Sequence, residues 1–209
     1  QRQMCIRDSA IRCVGKYVYD RGFTDRKTLQ IDTRSGVKTL ELTLEDGKVS
    51  TVRVDMGRAS LRARDIPVET DYDDFVSQPM LVHGEVFLVT CVSMGNPHAV
   101  IFCDDVEDLP LEDIGPLFEN HEKFPDRINT EFIELVDRQT LKMRVWERGS
   151  GETFACGTGA CAAVVAAVVN GHCDAGDEVT VRLRGGELKI TCREDFTVLM
   201  EGPAAHVFD

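Results

Sequence analysis

Residues 147–163 read Glu-Arg-Gly-Ser-Gly-Glu-Thr-Phe-Ala-Cys-Gly-Thr-Gly-Ala-Cys-Ala-Ala, and an apolar run of mostly small side chains continues to Asn170. The glycines predict a turn and the small residues after them predict a helix, with Cys156 at or just before the helix start. Backbone N–H groups without partners and the positive end of the helix dipole favour an anion at such a position. The same field favours the thiolate form of a cysteine, which is the reactive form. This stretch therefore predicts a reactive sulfur beside a site for a carboxylate.

The composition is that of an ordinary globular protein, with 209 residues of which 43% are hydrophobic and 29% are charged. This length is sufficient for one large domain or two small ones. The formal net charge of −12 argues against nucleic acid or an anionic membrane surface as a partner. The apolar stretch 160–169 is too short to span a bilayer. We therefore expect a cytoplasmic protein that binds a small molecule.

The eight cysteines, at positions 5, 13, 91, 103, 156, 161, 173 and 192, leave two interpretations. Four disulfides are one, but a chain of this size with ordinary core residues does not need them. No Cys-x-x-Cys pair offers zinc ligands, so we expect no metal site. Free thiols in a reducing compartment are the favoured interpretation, and the cysteines other than Cys156 are expected to have structural roles.

Hydrophobic spacing and turn residues predict a chain of mixed α/β content. Because its strands are antiparallel, the fold is of the α+β type. A first helix over 9–20 ends at Gly22, and a second follows Cys156 and ends at Gly171. Strands are predicted over 29–33, 37–44, 49–55, 80–92, 99–103, 131–136, 141–146, 179–183, 187–192 and 196–200, with a helix around 111–118 and irregular chain over 58–80.

An internal repeat relates the two helices. Gly22 and Gly171 lie 149 residues apart (171 − 22), and each precedes a hairpin, a further strand and a Met-Gly or Met-Glu-Gly ending. Two related units, each a helix with antiparallel strands about it, are the simplest account. With this offset Cys156 corresponds to position 7, which is Arg7. The repeat therefore predicts a symmetric site of which one half is missing.

Five stretches together resemble the diaminopimelate epimerase family of cofactor-independent amino-acid epimerases. They are 10–22 (AIRCVGKYVYDRG), 93–98 (SMGNPH), 124–129 (FPDRIN), 146–149 (WERG) and 155–163 (ACGTGACAA). The resemblance implies two pseudo-symmetric domains, each with antiparallel strands wrapped round a central helix, and an active site between them. Residues 1–60 would be the remnant of the first, incomplete domain, to which residues 203–209 return, and residues 61–202 the C-terminal domain.

The implied reaction interconverts LL- and meso-2,6-diaminopimelate, on the route to lysine and peptidoglycan, without pyridoxal phosphate or another cofactor. One cysteine acts as thiolate base and the other as thiol acid on opposite faces of the α-carbon. Cys156 is one of the two, and the second is expected at position 7, where the chain has Arg7. The implied ligand is diaminopimelate, and we expect a homodimer.

The resemblance also implies substrate-binding residues, each with a simpler alternative. Glu147 would accept a hydrogen bond from the substrate ammonium, although on its own it is better explained as a solvated surface acid. Arg148 would hold the distal carboxylate, and its alternative is a surface ion pair. Asn96 and Asn129 would bind the distal end of the substrate, and their alternative is as ordinary turn formers. The N–H groups of Gly157 and Thr158 would stabilise the charge that develops on the carboxylate. His98 would tune the thiol chemistry or only order its loop.

The first nine residues, QRQMCIRDS, depart from the family pattern. Cys5 is two residues out of register with position 7, and no Gly-Asn follows it. We expect a foreign sequence joined to a truncated gene, and a chain that does not epimerise. A proline or hydroxyproline racemase of the same superfamily is the alternative enzyme, and a non-catalytic binding domain is the alternative from another class. The pairing of Arg148 with two asparagines favours a substrate with a distal carboxylate.

Overall fold

The computed structural model describes residues 7–33 and 36–205, with the backbone alone for residues 7–9. Cys5 and residues 206–209 therefore lie outside the described residues, as does the side chain of Arg7. The elements are α1 Arg7–Asp20, β1 Thr28–Thr33, β2 Gly36–Glu45, β3 Lys48–Arg58, β4 Gln78–Val82, β5 Glu85–Ser93, β6 Pro97–Cys103, α2 Leu111–Glu119, β7 Asn129–Asp137, β8 Thr140–Glu147, β9 Gly151–Thr153, α3 Gly157–Val169, β10 Glu178–Leu183, β11 Gly186–Cys192 and β12 Thr197–Pro203.

The α+β class is confirmed, and the predicted helices and strands lie within a few residues of the observed ones. The structure adds the short strand β9, and it divides the predicted strand 80–92 into β4 and β5 at the His83-Gly84 turn. The stretch predicted as irregular, 58–80, contains a single 3-10 turn, Ala63–Asp65, before β4 begins at Gln78. Helix α2 forms despite Pro116 in its interior.

The strands form one mixed sheet in the order β1-β2-β3-β12-β11-β10-β8-β7-β6-β5-β4, and β9 pairs with β8. Neighbours are antiparallel except for the parallel pairs β6–β7 and β8–β10. Helix α3 contacts β5, β6 and β7 from one half of this order, and β10, β11 and β12 from the other. The sheet therefore curves around α3, and ten of the thirteen residues of α3 are buried.

Two hydrophobic clusters stabilise the fold. The first surrounds α3 and includes the inward faces of β2, β3 and β10–β12. The second lies between α2 and β4–β7 and is built around Phe118 and Phe132, whose rings pack edge to face with centroids 5.4 Å apart. Strand β3 also pairs with β12, so that Thr51 lies opposite Pro203. The proposed division at residues 60 and 61, with 203–209 returning to the first domain, stays a prediction.

Both repeat helices end in the predicted glycine cap. Gly22 and Gly171 have positive φ values of 75° and 76°, and the following amide in each case bonds back to the last helical turn (Phe23 N to Val18 O, His172 N to Ala167 O). The ends of α1 and α3 are 149 residues apart (169 − 20), which matches the predicted offset.

Apolar spacing predicts that Ile11, Val14 and Val18 lie on one face of α1, with Tyr17 alongside, but the structure does not bury all of this face. Ile11 is 8% exposed and Gly15 lies against Leu40, but Val14 is 44% and Tyr17 is 55% exposed. Strands β2 and β3 make most of the sheet's contacts with α1, and Arg12 of α1 also reaches Met200 of β12. In the described part of the chain, no helix combines the length and the apolar character needed to cross a membrane.

Candidate active site

Cys156 occupies the N-cap position of α3, as predicted. Its backbone is extended (φ −133°, ψ 110°), and its carbonyl accepts the first helical bond from Ala160 N at 2.9 Å. The thiol is 1% exposed and lies 3.6 Å from the hydroxyl of Thr158. The sulfur therefore lies beside the first-turn N–H groups, where an anion is favoured.

The turn between β5 and β6 reaches the same helix start. Gly95, with a φ of +91°, allows the chain to reverse there. Asn96 then extends its amide nitrogen to the Thr158 hydroxyl, at 3.3 Å. The structure therefore brings two of the five motif stretches, 93–98 and 155–163, into direct contact.

Asn129, the first residue of β7, joins three of the motif stretches. Its side chain is buried, its Nδ2 donates to Pro97 O at 2.8 Å, and its Oδ1 accepts from Arg148 N at 2.9 Å. Both contacts are distant in the sequence, so the residue makes tertiary contacts and does not merely form a local turn. Through them the loop before β7 and the turn after β8 are held in register with the β5–β6 turn.

The Glu147-Arg148 pair lies at the end of β8. Glu147 is 3% exposed and its carboxylate accepts from the Thr153 hydroxyl, so the interpretation as a solvated surface acid is wrong. Arg148 is half-buried, and its guanidinium donates to Asp126 O at 2.8 Å. The short strand β9 explains the burial of Glu147, because it folds back on β8 with Gly151 opposite Glu147.

His98 and Glu131 form a fully buried pair beneath this site. Their Nδ1 and Oε1 atoms are 2.7 Å apart, and both side chains are 0% exposed. Burial raises the pKa of Glu131; the neighbouring His98 opposes this, and the charge of Glu147 adds to it. A Cβ at Gly159 would lie 2.6 Å from Glu131 Oε1, so the pair lies directly against the first turn of α3.

Several residues of the site carried no functional prediction, namely Glu131, Thr153 and Glu119. Glu131 has a signal in the sequence, because it interrupts an otherwise uncharged strand segment, Asn-Thr-Glu-Phe-Ile, that the structure buries completely. A carboxylate in such a strand needs a partner. The other two are ordinary polar residues near turns, and only the tertiary structure reveals their contacts.

The second half of the predicted symmetric site falls on position 7. The backbone of α1 begins at Arg7, which the repeat aligns with Cys156, but the side chain lies outside the described residues. The described cysteines are free, and those at 91, 161, 173 and 192 are buried, whereas Cys13 is exposed. Among the described cysteines, Cys156 is the one at a helix N-cap.

Solved structures define the class of fold. The chain is similar to a probable proline racemase from Agrobacterium radiobacter (TM-score 0.70, 14% identity, covering 96% of this chain and 67% of that one). It is also similar to a hydroxyproline epimerase from Agrobacterium vitis (TM-score 0.70, 12% identity, 95% of this chain and 64% of that one). At these identities the likeness shows the fold alone, which this chain shares with these two proteins.

Sequence comparisons define the family. The family model described as diaminopimelate epimerase matches residues 90–207. Relatives of that name include those of Acetivibrio thermocellus (53% identical over 210 residues, 100% of this chain and 74% of the relative) and Bacillus cytotoxicus (48% over 197 residues, 94% and 68%). The chain belongs to the diaminopimelate epimerase family and so to the isomerases. The first alignment spans the whole chain, and the foreign origin of residues 1–9 stays a prediction.

Proposed function

We propose that Cys156 transfers the α-proton of diaminopimelate as one of two acid–base groups in a cofactor-independent epimerisation. The observation that carries this proposal is the position of Cys156 at the α3 N-cap, in contact with Thr158, which in turn binds Asn96. A thiolate and an anion-binding helix start then face one small volume. The substrate that we propose, diaminopimelate, is the one in the name that the family's members carry.

Two features of the α3 start take part in the proton step, namely the Cys156 thiolate and the first N–H groups of the helix. The Cys156 thiolate takes the α-proton, and the S–H bond forms as the C–H bond breaks. The electron pair is left on the α-carbon and delocalises into the α-carboxylate. The first N–H groups of α3, at Gly157 and Thr158, have no acceptor within the helix, and they stabilise this charge where it develops.

The other candidate residues bind the rest of the substrate. Glu147 accepts from the substrate ammonium, and the planar fork of Arg148 is suited to a carboxylate at the distal end. Asn96 and Asn129 complete the distal subsite, where a small ring such as proline would offer Arg148 no second carboxylate. His98 is auxiliary, because its ring lies below the site and is paired with Glu131.

Inversion needs a second acid on the opposite face of the α-carbon, where the repeat aligns Arg7. A guanidinium stays protonated at all accessible pH values and does not act as this acid. We therefore propose that this chain does not convert LL- to meso-diaminopimelate. We place the parent reaction in the cytoplasm, in lysine and peptidoglycan precursor synthesis, and assign it to a homodimer.

The test separates proton removal from inversion. Purified chain is incubated with LL-diaminopimelate in D₂O; loss of the α-proton signal is followed by NMR, and meso product by chiral chromatography. We expect slow exchange without inversion, loss of exchange in Cys156→Ala, and retention in Cys161→Ala, which removes a buried thiol from the same helix. Exchange that survives Cys156→Ala, or its absence in the unmodified chain, contradicts the assignment of the base. Meso product from the unmodified chain contradicts the proposed inactivity, and faster exchange of proline would favour the racemase alternative.

A further inference from the structure

Glu119, the last residue of α2, is a buried carboxylate with three hydrogen-bond donors around it. It is 6% exposed. Its Oε2 accepts from Trp146 Nε1 at 2.7 Å, and its Oε1 accepts from Arg127 Nη1 and from Gly149 N, both at 2.9 Å. The donors come from β8, from the loop before β7 and from the turn after β8. One side chain thus joins three segments that surround the candidate site.

The turn that Glu119 holds carries Arg148. Two consecutive amides of this turn are fixed from different sides: Arg148 N by Asn129 Oδ1, and Gly149 N by Glu119 Oε1. Gly149 has a φ of +77°, which a residue with a side chain adopts only at a cost. The direction in which the Arg148 side chain leaves the backbone therefore depends on these two acceptors.

The residues around Glu119 fix the position of its carboxylate. The Arg127 guanidinium pairs with the carboxylate and approaches the turn, with its Nη2 3.9 Å from the position a Cβ would take at Gly149. A Cβ at Gly115 would lie 2.4 Å from the Trp146 ring, so α2 and this ring are in direct contact. The carboxylate is fully hydrogen-bonded as well as paired, which offsets the cost of its burial.

We infer that Glu119 is a positioning residue that sets the direction of Arg148 and thereby the preference for a substrate with a distal carboxylate. The inference rests on the proposed function. Among the described residues Glu119 makes no hydrogen bond to Cys156, Thr158 or Glu147, so its effect on ligands is transmitted through Gly149 to the neighbouring Arg148. Losing it should weaken the hold on the distal end and leave the α-amino-acid end unaffected.

Glu119→Gln tests the first part of the inference. The amide has the size of the carboxylate but a single acceptor oxygen, so it cannot serve all three donors. Hydrogen exchange of Gly149 N–H and of the indole N–H of Trp146, the single tryptophan, is followed by ¹⁵N NMR. We expect faster exchange at both. Glu112→Gln, which changes an exposed acid on the same helix, is the matched control and should leave both rates unchanged.

The second part compares two ligands by titration calorimetry. L-Lysine has the carbon chain of diaminopimelate without the distal carboxylate. We expect Glu119→Gln to weaken the binding of LL-diaminopimelate about tenfold, the loss typical of a hydrogen bond to a charged group, and to change that of lysine less than about twofold. Glu119→Asp, which keeps the charge, should give a smaller loss; if the Gln variant does not fold, the Asp variant decides by the same criteria.

Each remaining outcome has a distinct meaning. Unchanged exchange at Gly149, or equal losses for both ligands, overturns the inference while the proposed function stands. If the unmodified chain binds neither ligand, the proposed function fails for this chain, and the inference falls with it.

Discussion

The helices α1 and α3 have the same place in the internal repeat but very different surroundings. Both end at a glycine in the left-handed backbone conformation, and both are followed by a hairpin and a third strand. Strands on both sides of α3 enclose it, whereas α1 rests on β2 and β3 and leaves Val14 and Tyr17 exposed. Local sequence therefore determines that each segment is a helix, and strands remote in the sequence determine how deeply it is buried.

The two helices are also held in different ways. Helix α3 consists of small apolar residues from Ala160 to Val169 and is stabilised by packing. The last turn of α1 is fixed by polar contacts: Lys16 pairs with Asp20 at 2.7 Å and donates to Val49 O, and Asp20 accepts from Val49 N at 2.9 Å. These differences lead to three predictions, the first of which uses equivalent positions of the repeat.

The largest effect is expected from one substitution made at equivalent positions. Tyr17 and Ala166 are 149 residues apart (166 − 17), and Ala166 is 0% exposed. Ala166→Asp buries a carboxylate without a partner and should lower the free energy of unfolding by about 4 kcal/mol. Tyr17→Asp should lower it by less than about 1 kcal/mol. Urea denaturation followed by circular dichroism measures both, and similar losses would contradict the difference in burial.

A smaller contrast is expected between two helical glycines. A Cβ at Gly159 would lie 2.6 Å from the buried Glu131 carboxylate, whereas at Gly15 it would lie 2.9 Å and 3.2 Å from apolar methyl groups of Leu40 and Leu42. Gly159→Ala should therefore cost about 2 kcal/mol, despite the better helix propensity of alanine. Gly15→Ala should change stability by less than about 1 kcal/mol. Calorimetric unfolding decides, and a neutral Gly159→Ala would show that Glu131 has room to move.

The smallest effect concerns the polar anchor of α1. Burial raises the pKa of Asp20, but hydrogen bonds from Lys16 and Val49 N outweigh it and hold the pKa below its ordinary value of 3.8. The unfolded state then binds protons more readily, so this contribution is present above pH 3.8 and is lost as the pH falls through the lowered value. Asp20→Asn should cost about 1 kcal/mol at pH 7, and this loss should disappear once the pH has fallen below the lowered pKa of Asp20. Asp25→Asn, an exposed control, should show no such change, and a pH-independent loss would contradict the assignment.

Much of the fold follows from local patterns. Turn glycines and hydrophobic spacing predict both repeat helices and most strands, because these signals act over a few residues. The pairing of β3 with β12 is not predictable in this way, since its partners are about 150 residues apart. The exposure of Val14 has the same origin: apolar spacing identifies a face but does not reveal which strands cover it.

The candidate site is also predictable from the sequence only in part. The N-cap position of Cys156 is predictable because glycine and small residues specify a helix start. The burial of Glu147 is not, because it depends on β9, a three-residue strand with no clear signal. Glu119 resembles a solvated acid in the sequence. The partners of Glu119 and Glu131, which are Trp146 and His98, come from other elements.

The junction of β3 and β12 has a consequence for synthesis of the chain on the ribosome. Thr51 emerges long before its partner Pro203, and at 5 to 20 residues per second the interval is roughly eight to thirty seconds. During that time one edge of β3 is an unpaired template that another nascent chain can join. We therefore expect aggregation during translation to depend on how quickly the last strand, β12, is delivered.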